Sequence, residues 1–129
     1  MGKRYLLDTN AISKAFRNLL PEPSLELIRS IIGDQAIISV ITRIELIGFD
    51  PKDDLTANTF ALFVQQATEL GLSEPVILKT IELRKKVRIK LPEAIIAATA
   101  LVHSLTLVSD NDVDFLRVPK LKYINPARL

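Results

Sequence analysis

The sequence predicts an α/β fold in which short parallel strands alternate with helices in one domain spanning residues 1–129. Apolar runs at 5–7, 36–40 and 105–109 are short and rich in Leu, Ile and Val, as buried strands are. The segments between them have apolar residues at helical spacing, bounded by capping residues and prolines. Because strands separated by helices need crossover connections, we expect them to pair in parallel.

The first half of the chain is expected to contain two strands and three helices. The first strand ends at Asp8, and Thr9 and Asn10 follow it as helix-capping residue types. Ser24 is expected to cap the second helix, and Gly33 to end it. In order, we predict a strand at 5–7, helices at 11–20 and 24–33, a strand at 36–40 and a helix at 41–48.

The second half is expected to contain three longer helices and two strands. Pro92 suits the first position of a helix that is apolar almost all round and should therefore be buried. An acidic turn is expected at 110–115, and a short extended piece at 72–73. In order, we predict helices at 55–70, 76–90 and 92–103 and strands at 105–109 and 121–124.

The composition restricts the chemistry that the chain can perform. Among 129 residues there is no cysteine and only one histidine, His103, which excludes disulfides, a cysteine nucleophile and a multi-histidine zinc site. A metal site must then be built mainly from oxygen ligands, which suits magnesium or manganese. We expect a cytoplasmic protein that does not enter a membrane, because no apolar stretch is long enough to span one.

Acidic residues follow several of the predicted strands. Asp8 follows the first strand, Glu45 follows the second, and Glu93 opens the buried helix that leads into the third. Because parallel strands end at one edge of a sheet, these carboxylates are expected to converge, and a divalent cation would relieve their repulsion. Three further acids, Asp110, Asp112 and Asp114, follow the third strand.

Each acidic residue also has an ordinary structural interpretation. Asp8 is a good helix cap, Glu45 a common surface residue, and Glu93 a favourable acid in a first helical turn. The acids at 110, 112 and 114 are of a type that is common in turns. A basic run containing Arg84, Lys85 and Lys86 is either a solvated helix end or a phosphate-binding surface. Spacing alone leaves both interpretations open.

Four segments in order resemble the PIN-domain family, and within it the VapC-type ribonuclease toxins of toxin–antitoxin pairs. These segments are LDTN at 7–10, SVITRIEL at 39–46, LPEAIIAATA at 91–100 and TLVSDNDVDF at 106–115. The resemblance implies a three-layer α/β/α sandwich with a central, mostly parallel sheet of four or five strands. It also implies an endoribonuclease dependent on Mg²⁺ or Mn²⁺, an RNA substrate, a homodimer and a cognate antitoxin.

The resemblance also assigns roles to individual residues. Asp8, Glu45 and Asp114 match acidic positions of the family, and Glu93 stands where the family normally has Asp. These four residues are the predicted catalytic and metal-binding set. Residues expected beside the site are Thr9, Asn10, Ser109, Asn111, Asp110 and Asp112, and weaker RNA contacts are expected from Arg43, Arg84, Lys85 and Lys86.

Other functions remain possible on the sequence. The longer side chain of Glu93 points to an alternative, a catalytically weakened PIN-like module that binds RNA or a partner without cutting. A receiver-type phosphoacceptor domain is disfavoured because Asp8 has no acidic neighbour. Dinucleotide binding is disfavoured because no glycine-rich motif follows the first strand.

Overall fold

The fold is built on one sheet of five parallel strands. In the computed structural model, which describes residues 3–129, the strand order is β3-β2-β1-β4-β5 and all four pairings are parallel. The predicted mostly parallel sheet is therefore confirmed. The strands are β1 (Tyr5–Leu7), β2 (Ile37–Ser39), β3 (Thr68–Leu70), β4 (Thr106–Val108) and β5 (Tyr123–Ile124).

Within the described residues, seven α-helices connect or follow these strands. Helices α1 and α2 link β1 to β2, α3 and α4 link β2 to β3, and α5 and α6 link β3 to β4. Their bounds are α1 (Thr9–Phe16), α2 (Glu22–Gln35), α3 (Val40–Gly48), α4 (Asp54–Gln66), α5 (Glu74–Lys86), α6 (Leu91–Val102) and α7 (Asp112–Phe115), and a 3-10 turn covers Pro126–Arg128. No helix within residues 3–129 is long and apolar enough to cross a bilayer.

Helices cover both faces of the sheet, which confirms the predicted three-layer sandwich. Successive strand residues point to opposite faces, so Leu6 and Leu7 belong to different halves of the core. Leu6 packs in a cluster with residues of α5 and α6, which include Val76 and Ala97. Leu7 packs in a second cluster with residues of α1, α2, α3 and α4. The alternation at one dipeptide thus joins the sheet to both helical layers.

The edge strand β3 differs from the prediction. A single helix was predicted over 55–70, whereas α4 ends at Gln66 and residues 68–70 pair with β2. Thr68 and Glu69 are exposed, as suits a strand at the sheet edge, and neither provides the apolar signal of a buried strand. The expected extended piece at 72–73 forms no strand, although the backbone of Ser73 is extended, and Ser73 caps α5 by accepting a hydrogen bond from the Val76 amide.

Several helix boundaries also differ from prediction, and α2 continues past Gly33, which was expected to end it, to Gln35. The first helix ends at Phe16 rather than Leu20, and Asn18 has a positive φ of 55°. The second helix begins at Glu22, so Ser24 lies inside it and is buried. The Ser24 hydroxyl donates to the carbonyl of Pro126, which ties α2 to the C-terminal turn rather than capping the helix. A long-range contact has replaced the local role that its residue type suggested.

Candidate functional site

Three of the predicted acidic residues line one cleft beside the carboxyl ends of the central strands. The cleft has a volume of about 430 Å³ and its walls include Asp8, Glu45 and Glu93. Asp8 comes from the β1–α1 junction, Glu45 from α3 and Glu93 from the first turn of α6. Thr9, Asn10 and Asn111, which were predicted beside the site, also line it.

Asp8 is fixed at the base of the cleft. Its backbone amide donates to the Val108 carbonyl at 3.0 Å, so the β1–β4 pairing continues to the position of the carboxylate. One carboxylate oxygen accepts the Thr9 amide at 2.8 Å, and the other accepts the Ser109 hydroxyl at 2.8 Å. Asp8 is therefore both the cap of α1 and a residue of the cleft.

The environment of Asp8 disfavours its negative charge. Only 5% of the residue is exposed, and this burial raises the pKa of its carboxyl to about 6. The hydrogen bonds from Ser109 and Thr9 oppose the rise in pKa, while the neighbouring charges of Glu45 and Glu93 add to it. The three carboxylates are thus close enough to interact electrostatically across the cleft.

The partners of Glu45 and Glu93 differ. Glu45 is exposed, and its carboxylate accepts a hydrogen bond from the Thr9 hydroxyl. Glu93 is partly buried, and its Oε2 atom is buried without a hydrogen-bond partner among the described residues. Because a buried carboxylate oxygen without a partner is costly, Glu93 Oε2 marks a position where a ligand would be stabilising.

Residues of the β4–α7 loop hold the Asp8 carboxylate in place through hydrogen bonds. Ser109 is fully buried, and its hydroxyl donates to Asp8 and accepts from Asn10 Nδ2 and the Asn111 amide, both at 3.1 Å. Asn111 caps α7 and donates from Nδ2 to Asp114 at 2.9 Å. Ser109 and Asn111 therefore lie at the predicted place beside the site.

Asp114 does not line the cleft. Its carboxylate lies behind Asn111 and borders a separate surface groove together with Arg84, Arg88 and Arg117. Of the four predicted catalytic acids, the structure brings three to one cleft and places Asp114 next to it. Its assignment as a metal ligand remains a prediction.

The other two acids of this loop have partners outside the cleft. Asp110 forms an ion pair with Lys14 of α1, and its amide donates to Asn10 Oδ1 at 3.0 Å. Asp112 accepts hydrogen bonds from Tyr123, Asn125 and Arg128 at 2.7–3.1 Å. Asp112 therefore ties α7 to the C-terminal segment and does not face the cleft.

The basic residues predicted to contact RNA lie away from the cleft walls. Arg43 of α3 pairs with Glu69 of β3 at 2.6 Å. Arg84, Lys85 and Lys86 form the last turn of α5, where cations suit the helix dipole. Arg84 borders the groove that contains Asp114, and neither Lys85 nor Lys86 lines the cleft. Their proposed contact with RNA remains a prediction.

Six residues that line the cleft were not among the predicted site residues: Ser13, Arg17, Leu46, Phe49, Phe60 and Ile96. Ser13 lies on α1 and Arg17 directly follows that helix, both at helical spacing from Asn10, and Phe49 directly follows α3. The spacing of residues 10, 13 and 17 could have predicted that they line the same cleft, because residues three or four apart share a helix face. Nothing in the sequence placed Phe49, since its position depends on the packing of α3 against α1.

The carboxylates fit a divalent cation through their charge and the unpartnered oxygen of Glu93. Within residues 3–129, no three acidic or histidine side chains already meet closely enough to enclose one ion. Magnesium needs only one or two carboxylates, because it keeps several waters and shares substrate phosphate oxygens. Asp8 and Glu93 would hold the ion, with Glu45 next to them. The donor set therefore suits the hard cations expected from the sequence.

The fold is shared with chains of solved toxin–antitoxin complexes. A chain of a toxin–antitoxin complex from Klebsiella pneumoniae is 26% identical, with 97% of this chain and 99% of that chain covered and a TM-score of 0.76. A chain of FitAcB from Neisseria gonorrhoeae is 26% identical, with the same coverage and a TM-score of 0.74. A chain of VapBC2 from Rickettsia felis, solved with a DNA fragment from its promoter, is 23% identical. The match covers 94% of this chain and 97% of that chain, with a TM-score of 0.78.

A family model gives the same assignment independently. A search of curated proteins found no match to the chain. The model of the PIN domain matches residues 5–121, a span that includes β1, the three acids of the cleft and the β4–α7 loop. This match and the solved neighbours confirm the resemblance that the four sequence segments predicted. The chain belongs to the PIN domain family.

Proposed function

We propose that this chain is a metal-dependent endoribonuclease and the toxin of a type II toxin–antitoxin pair. The observation that carries the proposal is the cleft itself, which is lined by Asp8, Glu45 and Glu93. Their mutual repulsion and the unpartnered Glu93 Oε2 would both be relieved by Mg²⁺ or Mn²⁺. The match to the PIN domain supports a nuclease.

The residues around Asp8 would keep its carboxylate oriented during the reaction. When bound, the divalent cation supplies Lewis-acid chemistry, neutralising charge on the phosphate and lowering the pKa of a coordinated water. Ser109 and the Thr9 amide fix both oxygens of Asp8. Asn10 and Asn111 fix Ser109 in turn, so the carboxylate is preorganised before a substrate arrives.

The partners of the solved neighbours support an antitoxin for this chain. The neighbour from Klebsiella pneumoniae, at 26% identity, was solved as a toxin–antitoxin complex. An antitoxin that covers the cleft would block access of RNA to Asp8. We also propose a homodimer, as the resemblance to the family implies.

A second candidate is a PIN-like module that binds RNA or a partner without cutting. It rests on Glu93, which is one methylene longer than the Asp usual in the family. Two observations favour an active site over this candidate. Glu93 lines the cleft, and its Oε2 atom is buried without a hydrogen-bond partner. We therefore favour an active site in which Glu93 binds the cation in place of the Asp usual in the family.

Cleavage of a structured RNA tests the proposal. Purified protein should cut it with Mg²⁺ or Mn²⁺ and not with EDTA, and Asp8→Asn should reduce the rate by about 100-fold or more, the scale seen when a preorganised charge is removed. Glu26→Gln, an exposed charge change on α2, is the control. Cleavage that survives both EDTA and Asp8→Asn would overturn the mechanism.

The Glu93→Asp variant separates the two candidates. If Glu93 supports catalysis as it stands, the variant should cut no faster than the unmodified protein. A wild-type protein that does not cut, combined with a Glu93→Asp variant that does, would favour the module without activity.

A further inference from the structure

Arg17 and Phe49 form a pair at the mouth of the acidic cleft. Arg17 directly follows the last residue of α1 and Phe49 directly follows the last residue of α3, and both line the cleft that contains Asp8. The Arg17 guanidinium lies over the Phe49 ring, with its central carbon 5.7 Å from the ring centroid. This cation–π contact holds the guanidinium in place while leaving its N–H groups free to donate.

The charge of Arg17 is unusual for its position. Among the described residues that line the cleft it is the only basic one, while three are acidic. Arg17 forms no ion pair within residues 3–129, whereas Lys14 and Arg43 on the neighbouring surfaces are paired with Asp110 and Glu69. An RNA phosphate approaching the acidic wall would be repelled, and Arg17 is placed to offset that repulsion.

The Phe49 ring adds a flat apolar surface beside this cation. Half of Phe49 is exposed, at 51%, although Leu46 and Phe60 of the same cleft are buried. An exposed aromatic ring next to an arginine can stack a nucleic-acid base, and any base has a face suitable for stacking. A base inside a duplex is already stacked on both sides, so only an unpaired base can use the ring.

We propose that Arg17 and Phe49 bind one nucleotide of a single-stranded RNA segment, Arg17 through a backbone phosphate and Phe49 by stacking on the base. This inference rests on the proposed function, since it names two residues that would hold the substrate of the cleft. The pair sets the position of the strand along the cleft and makes the site selective for unpaired RNA. It contributes to binding and not to the chemical step.

Equilibrium binding in EDTA tests the pair without cleavage. The probes are a fluorescent single-stranded oligoribonucleotide and its blunt duplex, titrated at several salt concentrations and followed by anisotropy. Arg17→Ala should weaken single-strand binding by about tenfold and reduce the salt slope by about one, as expected for the loss of one phosphate contact. Phe49→Leu should weaken it by about tenfold with no change in salt slope.

Matched variants separate these contacts from general damage. Phe49→Tyr should restore single-strand binding, and Arg29→Ala, an exposed charge removal on α2 outside the cleft, should leave it unchanged. Thermal unfolding of each variant should match that of the unmodified protein. Phe49→Leu should also reduce the preference for single strand over duplex, because the stacking contact is available only to unpaired bases.

Several outcomes would overturn the inference. The inference is wrong if Arg17→Ala and Phe49→Leu both bind the single strand as tightly as the unmodified protein does. It is also wrong if the two substitutions weaken binding of single strand and duplex equally. If the two variants bind RNA normally but no longer bind a co-expressed antitoxin, the pair belongs to a protein interface instead.

Steady-state cleavage distinguishes a failure of this inference from a failure of the proposed function. If the protein cuts RNA, Arg17→Ala and Phe49→Leu should raise KM and leave kcat nearly unchanged. Cleavage with an unchanged KM would leave the nuclease intact and overturn the pair. No cleavage with any metal, but a tenfold loss of single-strand binding in both variants, would overturn the nuclease and support the pair.

Discussion

Asp8 and Asp112 are the same residue type, and each follows a central strand, yet the protein surrounds them differently. Asp112 is half-exposed and accepts hydrogen bonds from Tyr123, Asn125 and Arg128, and the Tyr123 hydroxyl is the main cause of its lowered pKa. Asp8 is buried beside two other carboxylates, and burial raises its pKa to about 6. One carboxylate is stabilised as an anion by the fold, and the other is not.

This difference indicates which acid has a structural role. Asp112 joins α7 to the C-terminal turn, and its donors come from residues of that segment. Asp8 retains a charge that the folded chain alone does not compensate, as does Glu93 with its unpartnered oxygen. Uncompensated acids that share a cleft are what the proposed cation site requires.

The largest expected effect is on stability at Asp8. A folded pKa of about 6 against 3.8 means that the folded state binds the proton more tightly, so this group lowers stability as pH rises from about 4 to 6. Above pH 6 the cost reaches about 3 kcal/mol. Asp8→Asn should therefore stabilise the metal-free protein by up to that amount at pH 7.5 and by little near pH 4, measured by urea unfolding in EDTA.

Asp112→Asn provides the matched control. Its folded pKa is lowered, so its stabilising contribution is present above the unfolded pKa and is lost as pH falls through the folded pKa. The variant should therefore be less stable than the unmodified protein at pH 7.5. Two substitutions of Asp by Asn would then have opposite signs. Destabilisation by Asp8→Asn of the same size as by Asp112→Asn would contradict the contrast between them.

The next largest effect is expected on metal affinity. Glu93→Gln should reduce the affinity for Mn²⁺ by about tenfold at pH 7.5. The change removes the charge near Asp8 while keeping the shape of a side chain that lines the cleft. Isothermal titration with Mn²⁺ measures it, with Glu26→Gln as the control for an exposed acid. Equal affinities in all three proteins would remove Glu93 from the set of metal-binding residues.

The sequence was sufficient to predict the central layer because its strands are apolar and buried. Leu6, Ile38 and Leu107 are fully buried, and each lies in a predicted strand. Strand β3 could not be predicted, since Thr68 and Glu69 are exposed and become a strand only by pairing with β2. Pairing at an edge depends on the neighbouring strand, which local composition does not report.

The site was predictable to the extent that topology alone determines it. Asp8, Glu45 and Glu93 line one cleft, as expected from the sheet topology, because the helices that carry or follow them begin near the same edge of the sheet. The separation of Asp112 from this group was not predictable, because it depends on donors at 123, 125 and 128. Local spacing identifies which acids are near one another, whereas distant contacts decide what each one does.

A smaller effect is expected at Tyr123, whose hydroxyl donates to Asp112 at 2.7 Å. Tyr123→Phe removes this hydrogen bond but keeps the ring that packs against Phe115 at 6.1 Å between centroids. Because the contact is only partly buried, the loss should be about 1 kcal/mol of unfolding free energy. Chemical denaturation measures the loss, and the rate of RNA cleavage should change less than twofold. A large loss of activity with little loss of stability would give the Asp112 network a functional role.

The smallest effect is expected at Arg43, which was predicted from sequence to contact RNA. Its pairing with Glu69 is half-exposed, and such pairs contribute about 0.5 kcal/mol or less to stability. Arg43→Ala should therefore change the unfolding free energy by no more than that, and single-strand binding by less than twofold, because Arg43 does not line the cleft. The useful comparison is with Arg17→Ala in the same titration, since both variants remove one positive charge. A loss as large at Arg43 as at Arg17 would mean that RNA responds to the net charge of this face, and the cleft-lining position of Arg17 would have no special importance.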